Sequence, residues 1–432
     1  IRELGVAASD VVFAITEGGG TSFVIGTAQA GVSAGAKVYF VYNNPDDVLC
    51  RTVERSREII ADPRIEKINL TTGPMAIMGS TRMQATSIQI CVMLTVLEMV
   101  VRELLGLGNV EVPDQFLEKL TGLHAGLQQP EFLADLAKLV ALEESTYRSG
   151  HKHNYYADRL AVDVLTDTTE RSPTFSTPSF RKFDDSQAAA SWAFLFLPQD
   201  TTELAWQHLL KRQPRCVEWS PTEIAELVPA DKVSRTLETI RKIGPAELMR
   251  FRIGINGAAA RPLIAGDSAT VVAKRSENNS SRLFLRDQLE LARNNGCQTG
   301  LIHFGAKRTG LLSAVANFTV IVPVPESDLL LDGVTHVAAK LVMNALSTCT
   351  MVRLGRVMGN SMIHVVPSNL KLIDRATRYL VKLTGLAYEP ANQLLFEAIE
   401  YVEPRMKSDQ AYPPVVGLAA LRAQRGLSFE AA

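Results

Sequence analysis

Short apolar runs, each closed by glycine, proline or hydroxyl residues, set the rhythm of this chain. Val11-Val-Phe-Ala-Ile15 ends in Thr16-Glu-Gly-Gly-Gly-Thr21, which predicts a buried strand running into a turn of small residues. A helix over Val24–Ser33 and a second strand, Val38–Tyr42, closed by Asn43-Asn44-Pro45, complete a βαβ unit. Its small-residue loop falls at the carboxyl end of the first strand, where open α/β sheets bind ligands. A short strand is expected at Lys67–Leu70. A long helix follows to about Leu105, with Ile88–Val101 nearly apolar apart from Gln89 and Glu98. That stretch is too short to span a bilayer and reads as a buried helix. Helices resume at about Asp114–Leu120 and Pro130–Tyr147.

A second α/β region is expected from near Tyr155. Ala161–Leu165 is strand-like, Thr166–Pro178 reads as a turn-rich loop, and Ser191–Leu197 is an apolar run fit for a buried strand. Helices at Glu203–Lys211 and Phe284–Asn295 alternate with strands at Thr299–His303 and Phe318–Pro323. Lys274–Ser281 reads as an exposed loop. From Asp332 the pattern turns helical: Val334–Val357, Leu370–Thr384 capped by Gly385, Pro390–Tyr401 and Pro414–Gly426. Such alternation implies parallel sheets covered by helices, followed by a helical module.

The 432 residues suffice for two or three domains, and 46% hydrophobic with 21% charged residues is ordinary globular composition. A formal net charge of −1 supplies no field that would favour nucleic acid or an anionic membrane, so neither is expected as a partner. No signal peptide is visible, and the five scattered cysteines (Cys50, Cys91, Cys216, Cys297, Cys349) show no metal spacing. A reduced, cytoplasmic protein is expected. The one close histidine pair, His151 and His153, is expected to be exposed, and no metal or cofactor is predicted.

The sharpest chemistry lies in Thr71-Thr-Gly-Pro-Met-Ala-Ile-Met-Gly-Ser-Thr-Arg-Met83. Gly79-Ser80-Thr81-Arg82 falls where loop turns into helix, with Arg82 expected one turn inside. Backbone N–H groups, two hydroxyls and a guanidinium would then converge at a helix N-terminus, a site for a phosphate or another anion.

These strings, with Ala14–Gly26 and Met343-Asn-Ala-Leu-Ser-Thr-Cys-Thr-Met-Val-Arg-Leu-Gly-Arg-Val-Met-Gly-Asn360, resemble sugar isomerase (SIS) domains. The most similar branch holds the N-acetylmuramic acid 6-phosphate etherases and the glucokinase regulatory protein. The resemblance implies an α/β fold of two SIS-type three-layer parallel-sheet domains (1–145 and 146–330) plus a C-terminal helical lid (331–432). It places phosphosugar contacts on Thr16, Gly18, Gly20, Thr21, Ser80, Thr81 and Arg82. In the second copy Leu329-Leu-Leu-Asp332 stands where the GSTR turn would be, while Lys340 keeps the lysine that the first copy replaces by Ile90. Lys340 is therefore expected to complete one composite site. Glu17, Gly20 and Gln84 depart from the pattern. Thr169-Glu170-Arg-Ser-Pro-Thr-Phe175 is similar to the string around an etherase's catalytic glutamate, which makes Glu170 the candidate acid and base.

By analogy, the expected function is a phosphosugar-binding regulatory protein similar to the glucokinase regulatory protein and not an enzyme. A hexokinase- or glucokinase-type partner and a cytoplasmic or nuclear location would go with it. The alternative is an etherase-type lyase releasing lactate from N-acetylmuramic acid 6-phosphate. A ketose–aldose isomerase is a third reading, for which the first domain shows no glutamate and histidine pair.

Overall fold

The computed structural model describes residues 1, 3–215, 219–305, 310–406 and 412–431; Cys216 lies outside them. The chain divides into two compact units. The first comprises residues 1–118, 327–337 and 359–361; the second comprises 119–326, 338–358 and 362–432.

The first unit is built on a three-stranded parallel sheet in the order β1 (Val11–Ile15), β2 (Lys37–Tyr42), β3 (Ile65–Asn69). Helix α1 (Ser22–Ser33) makes the crossover between β1 and β2. Ile25, Ala28 and Gly31 lie on its buried side and join Val12, Ala14, Val38 and Phe40 in the core. Gly31 is needed there, because a Cβ would stand 3.0 Å from Val38 Cγ2 and 3.2 Å from Val12 Cγ2. Two short helices, α2 (Asp46–Thr52) and α3 (Glu54–Ala61), add Leu49 and Ile59 to the same core. The expected strands and helix of this unit are therefore present, the third strand two residues earlier than its apolar pattern suggests.

Helix α4 (Gln84–Leu104) follows. By length and composition alone it could cross a membrane. It is not the buried helix its apolar run predicts, since only Ala85, Gln89 and Glu98 are buried. The two residues that interrupt the run are the ones turned inward. Gln89 Nε2 donates to Asn43 Oδ1 at 2.6 Å. The Glu98 carboxylate accepts from the Leu330 and Leu331 amides (2.8 and 2.9 Å) and from Arg102 Nε at 3.0 Å. Burial acts to raise its pKa, but these donors outweigh that and hold it below the usual carboxylate value.

The second unit has a five-stranded parallel sheet, ordered β5 (Ala193–Phe196), β4 (His153–Ala157), β6 (Ser268–Lys274), β7 (Gln298–Phe304), β8 (Phe318–Val322). Helices α5 (Val112–Leu127), which begins in the first unit, α6 (Pro130–Arg148) and α7 (Ala161–Phe175) precede or cross over its strands. Three expectations fail here. The strand is His153–Ala157, and Ala161–Phe175 is a helix, not a strand and loop. Val162 and Val164 suggest strand alternation, yet the buried positions are Ala161, Val164, Thr168, Arg171 and Phe175, at helical spacing. β6 carries Thr270-Val271-Val272, an apolar run not assigned from sequence. Most of the 274–281 segment is exposed as expected, but Glu277 and Ser281 within it are buried. His153 is likewise buried, its Nδ1 sharing a 2.7 Å hydrogen bond with Ser268 Oγ, and burial pushes its pKa well below the usual value.

A polar network ties this unit's layers together. Arg171 on α7 donates to Asp167 Oδ2 (3.0 Å), Glu143 Oε2 on α6 (3.0 Å) and the Tyr155 hydroxyl on β4 (3.1 Å), all buried. Ser347 Oγ, on the Gly333–Arg353 helix, donates to Asp167 Oδ1 at 2.8 Å. Burial works against the Arg171 charge, but Glu143 and Asp167 outweigh it and hold the guanidinium protonated. Three C-terminal helices, Leu370–Thr384, Tyr388–Val402 and Val415–Arg425, pack on one another, and Gly385 caps the first at φ +75° as predicted.

Replacing Arg171 by Ala leaves Glu143 and Asp167 facing each other without a cation. Urea unfolding at pH 7.5 is expected to show a loss of about 3–5 kcal/mol. Replacing Glu98 by Gln, which keeps the shape but removes the charge, is expected to cost about 1.5–3 kcal/mol in the same measurement.

Candidate functional site

In the first unit the candidate residues gather at the carboxyl ends of β1, β2 and β3. Asn43, just past β2, holds this edge in place. Its backbone N–H donates to Glu17 O (3.1 Å), its side-chain amide donates to Leu70 O past β3 (2.7 Å), and its Oδ1 receives Gln89 from α4. One buried residue thus holds the glycine loop through its backbone N–H, and the end of the third strand and the long helix through its side chain. Asn suits this task because its amide is both donor and acceptor.

The loop after β1 is a cradle of small residues. Thr16 is buried and its hydroxyl shares a 2.9 Å hydrogen bond with the Thr21 hydroxyl, across the glycines. The carbonyls of all three glycines point back into the protein. Gly18 O accepts from Asn44 Nδ2 (2.9 Å), Gly19 O from Ser56 Oγ (2.8 Å) and Gly20 O from Arg55 Nε (2.7 Å). Among the described residues the amides of Gly18, Gly19 and Gly20 donate to no protein acceptor. All three glycine carbonyls are thus occupied, while their amides have no protein acceptor among the described residues. Sequence reasoning singled out Gly18 and Gly20, yet Gly19 is the residue whose backbone demands glycine. It has φ +71°, and a Cβ there would stand 2.6 Å from Leu49 Cδ1.

The second loop comes down beside the first. Gly79 adopts φ +75°, Ser80 is buried, and Thr81 and Arg82 are half-buried. Arg82 lies in the turn ahead of α4 and not one turn inside it, because the helix opens at Gln84. Met83 N closes that turn on Ser80 O (3.1 Å), and Thr86 N reaches Thr81 O (3.1 Å). Gln84, where the resemblance leads one to expect lysine, has a structural task. It accepts from Ala76 N (2.9 Å) and donates to Pro74 O (2.9 Å), stapling the loop to the helix. Thr86 Oγ1 donates to Glu17 Oε1 at 3.2 Å and links the two loops directly. Thr16, Gly18, Gly20, Thr21, Ser80, Thr81 and Arg82 thus belong to one edge of one sheet. Lys340, on the Gly333–Arg353 helix, and Glu170, on the exposed side of α7, belong to the second unit.

The second unit carries its own polar cluster at the carboxyl ends of β4 and β6. Asp158 accepts from Ser281 Oγ (2.5 Å) and lies 2.5 Å from His208 Nε2. Glu277 is buried beside it, with Oε2 unpaired among the described residues. Burial, then the negative charge of Asp158, pushes the Glu277 carboxyl up to about 7. Sequence reasoning missed both acids, because each follows its strand inside a polar stretch that resembles a solvated loop. Among the described residues no group of His, Cys, Asp and Glu could hold a metal ion.

No protein-family model matches the chain. Curated relatives do. The N-acetylmuramic acid 6-phosphate etherase of Mycolicibacterium smegmatis is 32% identical over 160 residues, covering 34% of this chain and 52% of that protein. The etherase of Pectobacterium atrosepticum is 37% identical over 120 residues, 27% of this chain and 38% of its own length. That of Porphyromonas gingivalis strain W83 is 46% identical over 72 residues, 17% and 25% of the two chains. The chain therefore spans about half or less of the length of these relatives. Among solved structures, the C-terminal domain of glucosamine-fructose-6-phosphate aminotransferase from Francisella tularensis matches with TM-score 0.45 at 12% identity, over 81% of this chain and 73% of that one. Tagatose-6-phosphate ketose/aldose isomerase from Escherichia coli matches with TM-score 0.38 at 11% identity, over 83% and 72%. The resemblance to the etherase branch stands. The expectation of a regulatory protein is overturned, because these curated relatives carry the etherase name. The kinase-type partner, the nuclear location and the lean away from an enzyme lose their ground with it.

Two outcomes test the geometry. Asn43→Ala strands two carbonyl or amide partners at the loop edge and is expected to cost about 1–3 kcal/mol in urea unfolding. Glu277→Gln is expected to matter with pH. The folded carboxyl titrates near 7 and the ordinary value is 4.5, so wild-type folding binds a proton between those limits. Its stability therefore falls relative to the Gln variant as pH rises from 4.5 to 7, and the gap stays constant above. At pH 8 the variant is expected to be more stable by about 1–3 kcal/mol.

Proposed function

We propose that this chain belongs to a carbon–oxygen lyase of the etherase type, acting on a phosphorylated amino sugar, N-acetylmuramic acid 6-phosphate, and releasing lactate. The observation that supports it best is the junction in the first unit. Unused glycine amides, the Thr16 and Thr21 hydroxyls and the Ser80-Thr81-Arg82 turn share one sheet edge, as a phosphate ester's three terminal oxygens require. The curated relatives supply the substrate class.

The phosphate would sit against the amides of Gly18–Gly20 and accept from the hydroxyls of Thr16, Thr21, Ser80 and Thr81, with Arg82 as its cation. Lys340 keeps its proposed part as a phosphosugar contact on the resemblance alone. The reaction removes a carbon-bound proton, expels the lactate oxygen, and adds water to the alkene so formed. It therefore needs a carboxyl group that can both take and give a proton near neutral pH. Glu170 is the candidate by sequence.

Incubation of the protein with N-acetylmuramic acid 6-phosphate is expected to release lactate, read by a coupled lactate assay. No lactate at saturating substrate would overturn the lyase reading. Glu170→Gln is expected to abolish release. Arg82→Ala is expected to weaken substrate binding in calorimetry by about 1.5–3 kcal/mol, the scale of a charge-assisted hydrogen bond.

A further inference from the structure

The second unit holds a cavity of about 280 Å³ beside β5, away from the strand ends described above. Its charge is one-sided. Lys152, Arg181, Lys182, Arg252 and Arg261 line it, and no aspartate or glutamate does. Two of these cations are neutralised from behind: Lys182 by Glu247, and Lys152 by Asp267 at 3.6 Å. The three arginines are not. Among the described residues Arg181 Nε donates only to a carbonyl, that of Asp185 (2.7 Å). Arg261 donates to Asn154 Oδ1 (2.8 Å) and Ser191 O (2.6 Å), both neutral. Arg252 lies over the Phe183 ring, 3.5 Å from its centroid, and makes no ion pair.

Cations gathered this way repel one another and lose hydration, which is costly without an anion. Arg261 registers the cost. Burial pulls its pKa down to about 10 with Arg181 pushing the same way, against the opposing pull of Tyr147, Asp267 and Tyr156. The fold nonetheless holds the arrangement in place. The Ile255–Ala260 helix sits directly on the Arg252 backbone, and Gly257 permits it: a Cβ there would stand 1.7 Å from Arg252 O. Aromatic rings line the cavity beside these cations, with Arg261 over the Phe194 ring, 5.6 Å from its centroid. Phe194 and Phe196, two residues apart on β5, face the cavity together, and Phe180 stacks on Phe194 with centroids 4.4 Å apart.

We propose that this cavity binds a small phosphate ester. The phosphate group takes the Arg181, Arg252 and Arg261 guanidiniums, and a ring-bearing body lies against Phe194 and Phe196. Three guanidiniums suit a dianionic phosphate because each presents two parallel donors to its oxygens. The site stands independently of the lyase reading, since none of its residues belongs to the glycine loop or the GSTR turn.

The test uses the full chain carrying Arg82→Ala, so that binding at the first unit's site is weakened. AMP and glucose 6-phosphate are titrated into it by calorimetry. At least one ester is expected to bind, and inorganic phosphate is expected to compete with it. Arg252→Glu, at a residue with no ion pair to lose, is expected to weaken binding roughly tenfold or more while melting with its parent. Arg181→Gln serves as a second variant with the same expectation. Absence of binding by both esters, lack of competition by phosphate, or a weakening well below tenfold in both folded variants would overturn the proposal.

Discussion

Asn43 is the residue on which the first unit's chemistry depends. Separate segments must meet at the carboxyl edge of a three-stranded sheet, and three of them reach this one buried residue: Glu17 O at its backbone N–H, Leu70 O and the Gln89 side chain at its side-chain amide. Loops at the ends of strands are usually the mobile part of a domain. Here the glycine loop is held from behind at every carbonyl, by Asn44, Ser56 and Arg55 in turn. Carbonyls held in this way leave the loop little freedom to move.

Much of this was legible in the residues. The glycine triplet after an apolar run, the second strand ended by Asn43-Asn44-Pro45, and the Gly79–Arg82 turn all appear where the pattern put them, because each depends on local chemistry. What escaped notice depends on tertiary packing. Gln89 and Glu98 look like flaws in an apolar helix and prove to be its anchored positions. Val162 and Val164 suggest a strand, but the burial of Arg171 among two carboxylates and two tyrosine hydroxyls fixes that segment as a helix. Glu277 sits in a run of polar residues that looks solvated until β6 and its following helix enclose it. Partners distant in sequence decide each of these, and period or propensity carries no trace of them.

The second unit handles charge in two ways. Around Arg171 the positive and negative groups are matched and dry, so the network binds elements to each other and is silent toward ligands. Beside β5 the arginines make no ion pair among the described residues, and a cavity lies next to them. The same residue type is structural in one place and receptive in the other, and the difference lies in whether the chain itself supplies the counter-charge.

That difference also bears on Leu329–Asp332, the stretch that the resemblance aligns with the GSTR turn. The amides of Leu330 and Leu331, immediately before a long helix, already clasp the carboxylate of Glu98. A protein side chain occupies the position that a phosphate would otherwise seek, and a visiting anion would have to evict a buried negative charge to enter.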